Sequence, residues 1–211
     1  MSIFTDQHLF IHIPKTAGAS VITAIKSQKK ITKVPNNKTT YNNYHSTAKD
    51  CVKYINHIDQ LYKFSIVRHP WSRATSWFFF RKKIIEKNIS DPKEKLIHNR
   101  ILLHKELDIM AKGFNYWLKF YVNQPWDHTW FRLSDDQCTW LNGIELDLII
   151  KYENLNHEIH KIPALHFNKL PSKHKSNNFN TDYRTLYTKD SIDIIENLYR
   201  RDIDKFGYSF E

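Results

Sequence analysis

Glycine is scarce in this chain, four in 211 residues, and cysteine is scarcer still at two. So little glycine excludes collagen-like and glycine-rich low-complexity classes. Cys51 and Cys138 stand far apart and outside any CxxC pattern, which argues against a disulfide scaffold and against a zinc site of cysteines. Both are read as free thiols. No apolar run approaches the roughly 20 residues that cross a bilayer. Asp6, Gln7 and His8 interrupt the N-terminal stretch before it can resemble a signal peptide. The expectations are therefore no membrane span and a cytoplasmic location. Acidic charge is also short, with 22 Asp plus Glu against 32 Lys plus Arg, giving a formal net charge of +10. Such an excess suits a polyanionic partner: nucleic acid, an anionic membrane surface, a nucleotide or an acidic glycan. A merely basic surface accounts for it equally well.

What is present fits one domain, residues 1–211, with a sizeable core. Residues 7–13 read as a short buried strand that Pro14 ends, and Val21, Ile22 and Ile25 then recur at helical spacing. Residues 27–44 are polar and read as a surface excursion. Ser46 or Thr47 looks like the N-cap of a helix carrying Val52 and Ile55. Residues 62–68 form the clearest strand, and Pro70 suits the first turn of a helix through Trp71, Trp77 and Phe80. Residues 87–112 are charged and helical in pattern, 113–122 form an aromatic helix, and 147–152 a third buried strand. The stretch 87–125 is a candidate lid or acceptor-side insertion. A last helix begins near Thr188 or Asp190, buries Ile192, Ile195, Leu198, Tyr199 and Phe206, and stops at Gly207. Strands alternating with helices predict an α/β fold, a central mainly parallel sheet flanked by helices on both faces.

Two stretches carry chemistry. F-I-H-I-P-K-T-A-G-A-S, residues 10–20, places a tight turn between strand and helix. Backbone N–H groups at such a turn and the positive end of the helix attract an anion. Lys15 adds a full charge, and Thr16 and Ser20 add hydroxyls. It is not a Walker A loop, because G-x-x-x-x-G-K-[ST] is missing and the lysine precedes the glycine. On its own the stretch is equally an ordinary connection. I-V-R-H-P-W-S-R-A-T-S-W, residues 66–77, is again strand to helix. Ligands of parallel sheets bind at the carboxyl ends of strands, so both turns can face one crevice. Arg68 and Ser76 could hold a second phosphate there, the guanidinium by forked hydrogen bonds. Taken separately, Arg68 and Arg73 are surface ion-pair partners. Taken with the first loop, they are not.

These motifs resemble the PAPS-dependent carbohydrate sulfotransferases of the heparan 2-O type, where PAPS is 3′-phosphoadenosine-5′-phosphosulfate. H-I-P-K-T-A-G-A-S resembles their 5′-phosphosulfate loop and R-H-P-W-S-R-A-T-S-W their 3′-phosphate motif. D-L-I-I-K-Y-E-N-L, residues 147–155, and L-Y-R-R-D-I-D-K-F-G-Y, residues 198–208, also resemble family segments, in order along nearly the whole chain. The resemblance implies a P-loop-like, PAPS-binding fold. It implies that Pro14, Lys15, Thr16, Ala17, Gly18, Ala19 and Ser20 hold the 5′-phosphosulfate, and Arg68 and Ser76 the 3′-phosphate. Ala19 stands where a threonine is common, which removes one donor hydroxyl. It also implies a general base at His45, an imidazole that titrates near pH 6.5 unless burial shifts it. Lys15 would assist catalysis by stabilising the leaving phosphate. Lys49, one turn after His45, reads as solvated. Lys173 and Lys175, in the basic loop 169–176, would close over the donor or stand as a solvated charge run. Trp126, Asp127, His128 and Trp130 would stack on a sugar or belong to the core.

The implied reaction moves a sulfuryl group from PAPS to a hydroxyl, of a carbohydrate or another acceptor, leaving adenosine 3′,5′-bisphosphate. No metal is expected. H-E-I-H at residues 157–160 falls one residue short of the zincin pattern. Three rivals remain open. A P-loop-like kinase or NTPase lacks its G-K-[ST], and a nucleic-acid-binding protein lacks a reader motif, so no nucleic-acid partner is expected. A catalytically inactive nucleotide-binding relative is the third.

Overall fold

Apolar residues two apart in the strands, such as Phe64 and Ile66, point to the same face of a sheet, and that pattern organises the core. The structure is a computed structural model. It describes residues 1–35, 45–90, 97–122, 135–167, 170–171 and 182–210. Along the chain run β1 (Ile3–Phe4), β2 (His8–Ile11), α1 (Gly18–Lys26), β3 (Thr32–Lys33), α2 (Ala48–Tyr54), β4 (Tyr62–Val67) and α3 (Pro70–Ser90). They are followed by α4 (Ile97–Ala111), α5 (Phe114–Val122), α6 (Gln137–Leu141), β5 (Leu148–Lys151), α7 (Leu155–Glu158), α8 (Lys189–Leu198) and α9 (Arg200–Phe206).

The sheet order is β3-β1-β2-β4-β5. The three longer strands are parallel, with Phe10 opposite Phe64 and Ile66 opposite Ile150. This is the α/β architecture that the strand–helix alternation predicts. One edge differs, because β1 runs antiparallel to both β2 and β3. Strands of two residues are too short to show a period of two. Thr32 and Lys33, both exposed, lie inside the stretch read as a polar excursion. A short edge ending in lysine also resists pairing with other chains.

The contacts group into two compact units, residues 1–69 with 128–175 and residues 70–127 with 176–211. In the first, Phe10, Phe64, Ile66 and Ile150 present one sheet face to Val21 and Ile25 of α1 and to Leu155, Ile159, Ile162 and Leu165. The Phe10 and Phe64 rings stack 4.9 Å apart. Each such buried side chain stabilises the fold by about 1.5–3 kcal/mol. Thr47 caps α2 in a reciprocal capping box with Asp50. Ala48 and Cys51 are the residues α2 buries, and Val52 is exposed. Burial pushes the Cys51 thiol up to about 12, so it stays protonated. Both cysteines are free and buried.

The second unit is helical and aromatic. Pro70 opens α3, where a missing N–H is harmless. Phe78, Phe114 and Trp117 pack edge to face, and Tyr187 joins them on Phe114. Arg81 forks onto Glu106 at 2.8 and 2.6 Å, and the Tyr121 hydroxyl donates to the same carboxylate, tying α3, α4 and α5. The stretch 87–125 therefore holds the end of α3, α4 and α5. The final helix is broken rather than continuous: α8 stops at Leu198, Tyr199 leaves helical geometry, and α9 follows until Gly207 takes the left-handed C-terminal position at φ 61°. Periodicity is blind to such a break, because Ile195 and Tyr199 are buried on either side of it. Among the described residues, no helix is long and apolar enough to cross a membrane.

Candidate active site

β2 delivers the chain into the P-K-T turn, and the backbone there is strained. Lys15 and Ala17 both take left-handed conformations, at φ 69° and 66°. For residues with a Cβ this costs on the order of 1–2 kcal/mol each. Left-handed residues in a turn aim successive N–H groups inward as a nest for an anion. Ala17 is also the N-cap of α1, and no side chain caps that helix end, nor is any acidic residue in its first turn. The positive end of a nine-residue helix therefore opens beside Lys15.

Gly18 is required here by close approach. A Cβ on it would lie 1.8 Å from Cδ2 and 2.0 Å from Nε2 of His12. The Gly18→Ala variant is expected to lose about 1–3 kcal/mol of stability, the usual result of overpacking. A His12→Ala, Gly18→Ala double variant should regain part of it, because the ring that clashes is gone. Urea midpoints measure both, and an unchanged midpoint for Gly18→Ala contradicts this packing.

Thr16 is fully buried, and its hydroxyl donates to the Ile13 carbonyl at 2.8 Å. The side chain thus braces the turn, leaving the backbone N–H as what Thr16 can offer an anion. Lys15 is half-buried, and burial followed by the nearby Arg68 charge lowers its ammonium to about 7. Ser20 is buried in the first turn of α1.

The structure brings the two sequence motifs together at Arg68. The guanidinium donates from Nη1 to the Lys15 carbonyl at 3.1 Å and lies 4.3 Å from the centroid of the Tyr152 ring. The Arg68 backbone is held on both sides by one amide. Its N–H donates to Oε1 of Gln137, and Nε2 of Gln137 donates back to its carbonyl, each at 2.8 Å. The next residue, His69, donates its N–H to Glu153 at 2.9 Å. Sequence reasoning missed Gln137, Tyr152 and Glu153 as site residues. Gln137 left no signal, because a polar residue between Asp136 and Cys138 reads as surface. Y-E-N had been noted only as part of a family-like segment.

His45 stands near the same loop. Its ring meets the His12 ring edge to face at 4.6 Å and Trp140 at 6.0 Å. Its Nδ1 contacts the Met1 amino group. Burial first, and then that amino group, push the imidazole down to about 3. Burial thus carries the group far from 6.5, and the side chain is a neutral imidazole throughout the neutral range. Burial drives His12 down as well. His12 was not among the expected site residues, although H-I-P-K-T places it two residues ahead of the turn.

Ser76 and Arg73 are buried on α3 in the second unit, where Arg73 lies 5.7 Å from the centroid of the Tyr199 ring. Lys49 is exposed on α2. Lys173, Lys175 and His174 fall outside the described residues, as do Trp126, Asp127, His128 and Trp130. Among the described residues, no three His, Cys, Asp or Glu side chains gather as a metal site would require.

A strained turn after β2, an arginine from the end of β4 bonded to it and a histidine nearby form one constellation. No curated protein and no solved structure matches this chain. The model of the sulfotransferase family does, over residues 3–209. The match takes in every element from β1 to α9 and both motif loops, and this chain is a member of the sulfotransferase family.

Proposed function

We propose that the donor is PAPS and that the acceptor is a hydroxyl, with a carbohydrate as the acceptor class that suits the basic charge. The observation that carries this reading is the hydrogen bond from Arg68 to the Lys15 carbonyl, which sets two cationic side chains and a strained, uncapped helix start together. A donor with phosphates at both the 5′ and 3′ positions needs two such anion contacts.

In this reading the amides of residues 15–20 and the Lys15 ammonium hold the 5′-phosphosulfate. They stabilise the charge that grows on the leaving phosphate as the S–O bond breaks. Arg68 and Ser76 hold the 3′-phosphate, the guanidinium by a forked pair of hydrogen bonds. His45 takes the proton of the acceptor hydroxyl as that oxygen attacks sulfur in line. A base lowered to about 3 in the free protein holds a proton poorly. Negative charge arriving with the donor raises it toward neutrality. Lys173 and Lys175 are proposed to close over the donor, and the helical stretch 87–125 to face the acceptor.

The test is thermal stability with nucleotides. A ligand present at 100 times its Kd stabilises by about 2.7 kcal/mol, so melting temperature reports binding. Adenosine 3′,5′-bisphosphate is expected to raise the melting temperature more than 5′-AMP, and more than ATP with magnesium. Equal shifts with 5′-AMP contradict the 3′-phosphate site, and a larger shift with magnesium ATP returns the kinase reading.

A further inference from the structure

The short helix α6, Gln137–Leu141, touches both halves of the site. Gln137 is fully buried, and its amide supplies both hydrogen bonds to the Arg68 backbone. That is what a neighbouring strand would otherwise supply at the end of β4. Three residues on, Trp140 lies edge to face against His45. Positions three apart share one helix face. Asp136 caps this helix, accepting from the Thr139 N–H at 2.6 Å, so the placement of both side chains is fixed at its start.

Trp140 has a second feature, shared with Trp117: among the described residues its buried indole N–H has no hydrogen-bond partner. A buried donor left unpaired destabilises a protein, so a tryptophan that persists there serves by its shape. A phenyl ring at position 140 would remove the orphaned group but would not fill the same space beside His45.

We propose that α6 is the spacer between the donor site and the base, with Gln137 and Trp140 as its positioning residues. Gln137 acts through Arg68: it holds the backbone from which the guanidinium reaches the Lys15 carbonyl. Trp140 acts through His45, fixing the ring against His12. Neither residue is required to touch donor or acceptor. This inference rests on the reading of Arg68 and His45 given above.

The test is a double-mutant cycle on bisphosphate affinity, measured by calorimetry for wild type, Gln137→Leu, Arg68→Ala and the double variant. Gln137→Leu is expected to weaken adenosine 3′,5′-bisphosphate by roughly tenfold or more, the scale of a charge-assisted hydrogen bond lost at Arg68. In the Arg68→Ala background it should change the affinity less than twofold, because its route of action is gone. A role in folding alone adds the same factor in both backgrounds, and that additivity overturns the proposal. Gln137→Glu, which keeps an acceptor for the Arg68 N–H but cannot donate to its carbonyl, serves if the leucine variant does not fold. Its effect should vanish in the Arg68→Ala background in the same way. The second arm is Trp140→Phe. Bisphosphate affinity should stay within twofold of wild type while the His45 imidazole resonances shift and turnover falls at least tenfold. Unmoved resonances overturn the role of Trp140. Wild-type protein that binds no bisphosphate overturns the donor assignment itself, a result distinct from an additive cycle.

Discussion

His45→Ala is expected to lower turnover by roughly 10²–10⁴-fold, the usual worth of a positioned acid–base group, while leaving bisphosphate affinity nearly intact. The separation follows from the role. A base acts only when the acceptor proton leaves, whereas the proposed donor contacts are the turn at residues 14–20 and Arg68. The measurement is initial rate of transfer beside calorimetric affinity for the same variant. A His45→Ala protein with near-normal turnover assigns the proton to another base. His12, 4.6 Å away ring to ring, would then be the nearest candidate.

Lys15→Ala is the second large effect, with donor affinity and turnover expected to fall together. Affinity should drop roughly 10–150-fold, the equivalent of a 1.5–3 kcal/mol charged hydrogen bond. Turnover should drop further, because the same ammonium meets charge that grows in the transition state. The pH dependence identifies the group. In the free protein Lys15 is lowered to about 7, so it is charged below that pH and neutral above it. The charged form binds the anion. Bisphosphate affinity and kcat/KM should therefore be highest below pH 7 and decline as pH rises through it. Lys15→Arg, whose guanidinium keeps its proton, should remove this alkaline decline. In kcat/KM, which reports the free protein, His45 contributes no acid limb near 6.5, since burial lowers its imidazole to about 3 there. A bisphosphate affinity that is flat from pH 6 to 9 contradicts the role given to Lys15.

The parallel sheet and its first helix are legible because their residues are long enough to show a period. Leu9 and Ile11 alternate with Phe10, and Val21 and Ile25 are four apart on one face of α1. The edge is not legible, because two-residue strands such as Ile3–Phe4 have no period to read. The P-K-T turn and Arg68 were legible as charges at strand ends, where parallel sheets bind ligands. What held them was hidden. Gln137 lies 69 positions from Arg68 and reaches it only once the chain has folded. His12 explains why residue 18 is glycine, a reason that exists only in the close approach of its ring. The titration of His45 was not legible for a related reason: burial decides it, and burial of a lone polar residue before a helix leaves no mark in sequence.

The central claim is that this member of the sulfotransferase family moves a sulfuryl group from PAPS to a hydroxyl. The most direct measurement supplies ³⁵S-labelled PAPS with a panel of glycans, small phenols and tyrosine peptides, and follows both the labelled product and adenosine 3′,5′-bisphosphate. The account predicts label on at least one hydroxyl acceptor, one bisphosphate released per label transferred, and loss of both with Lys15→Ala. A protein that binds the bisphosphate yet labels none of these acceptors contradicts it, and points instead to a relative that holds the nucleotide without turning it over.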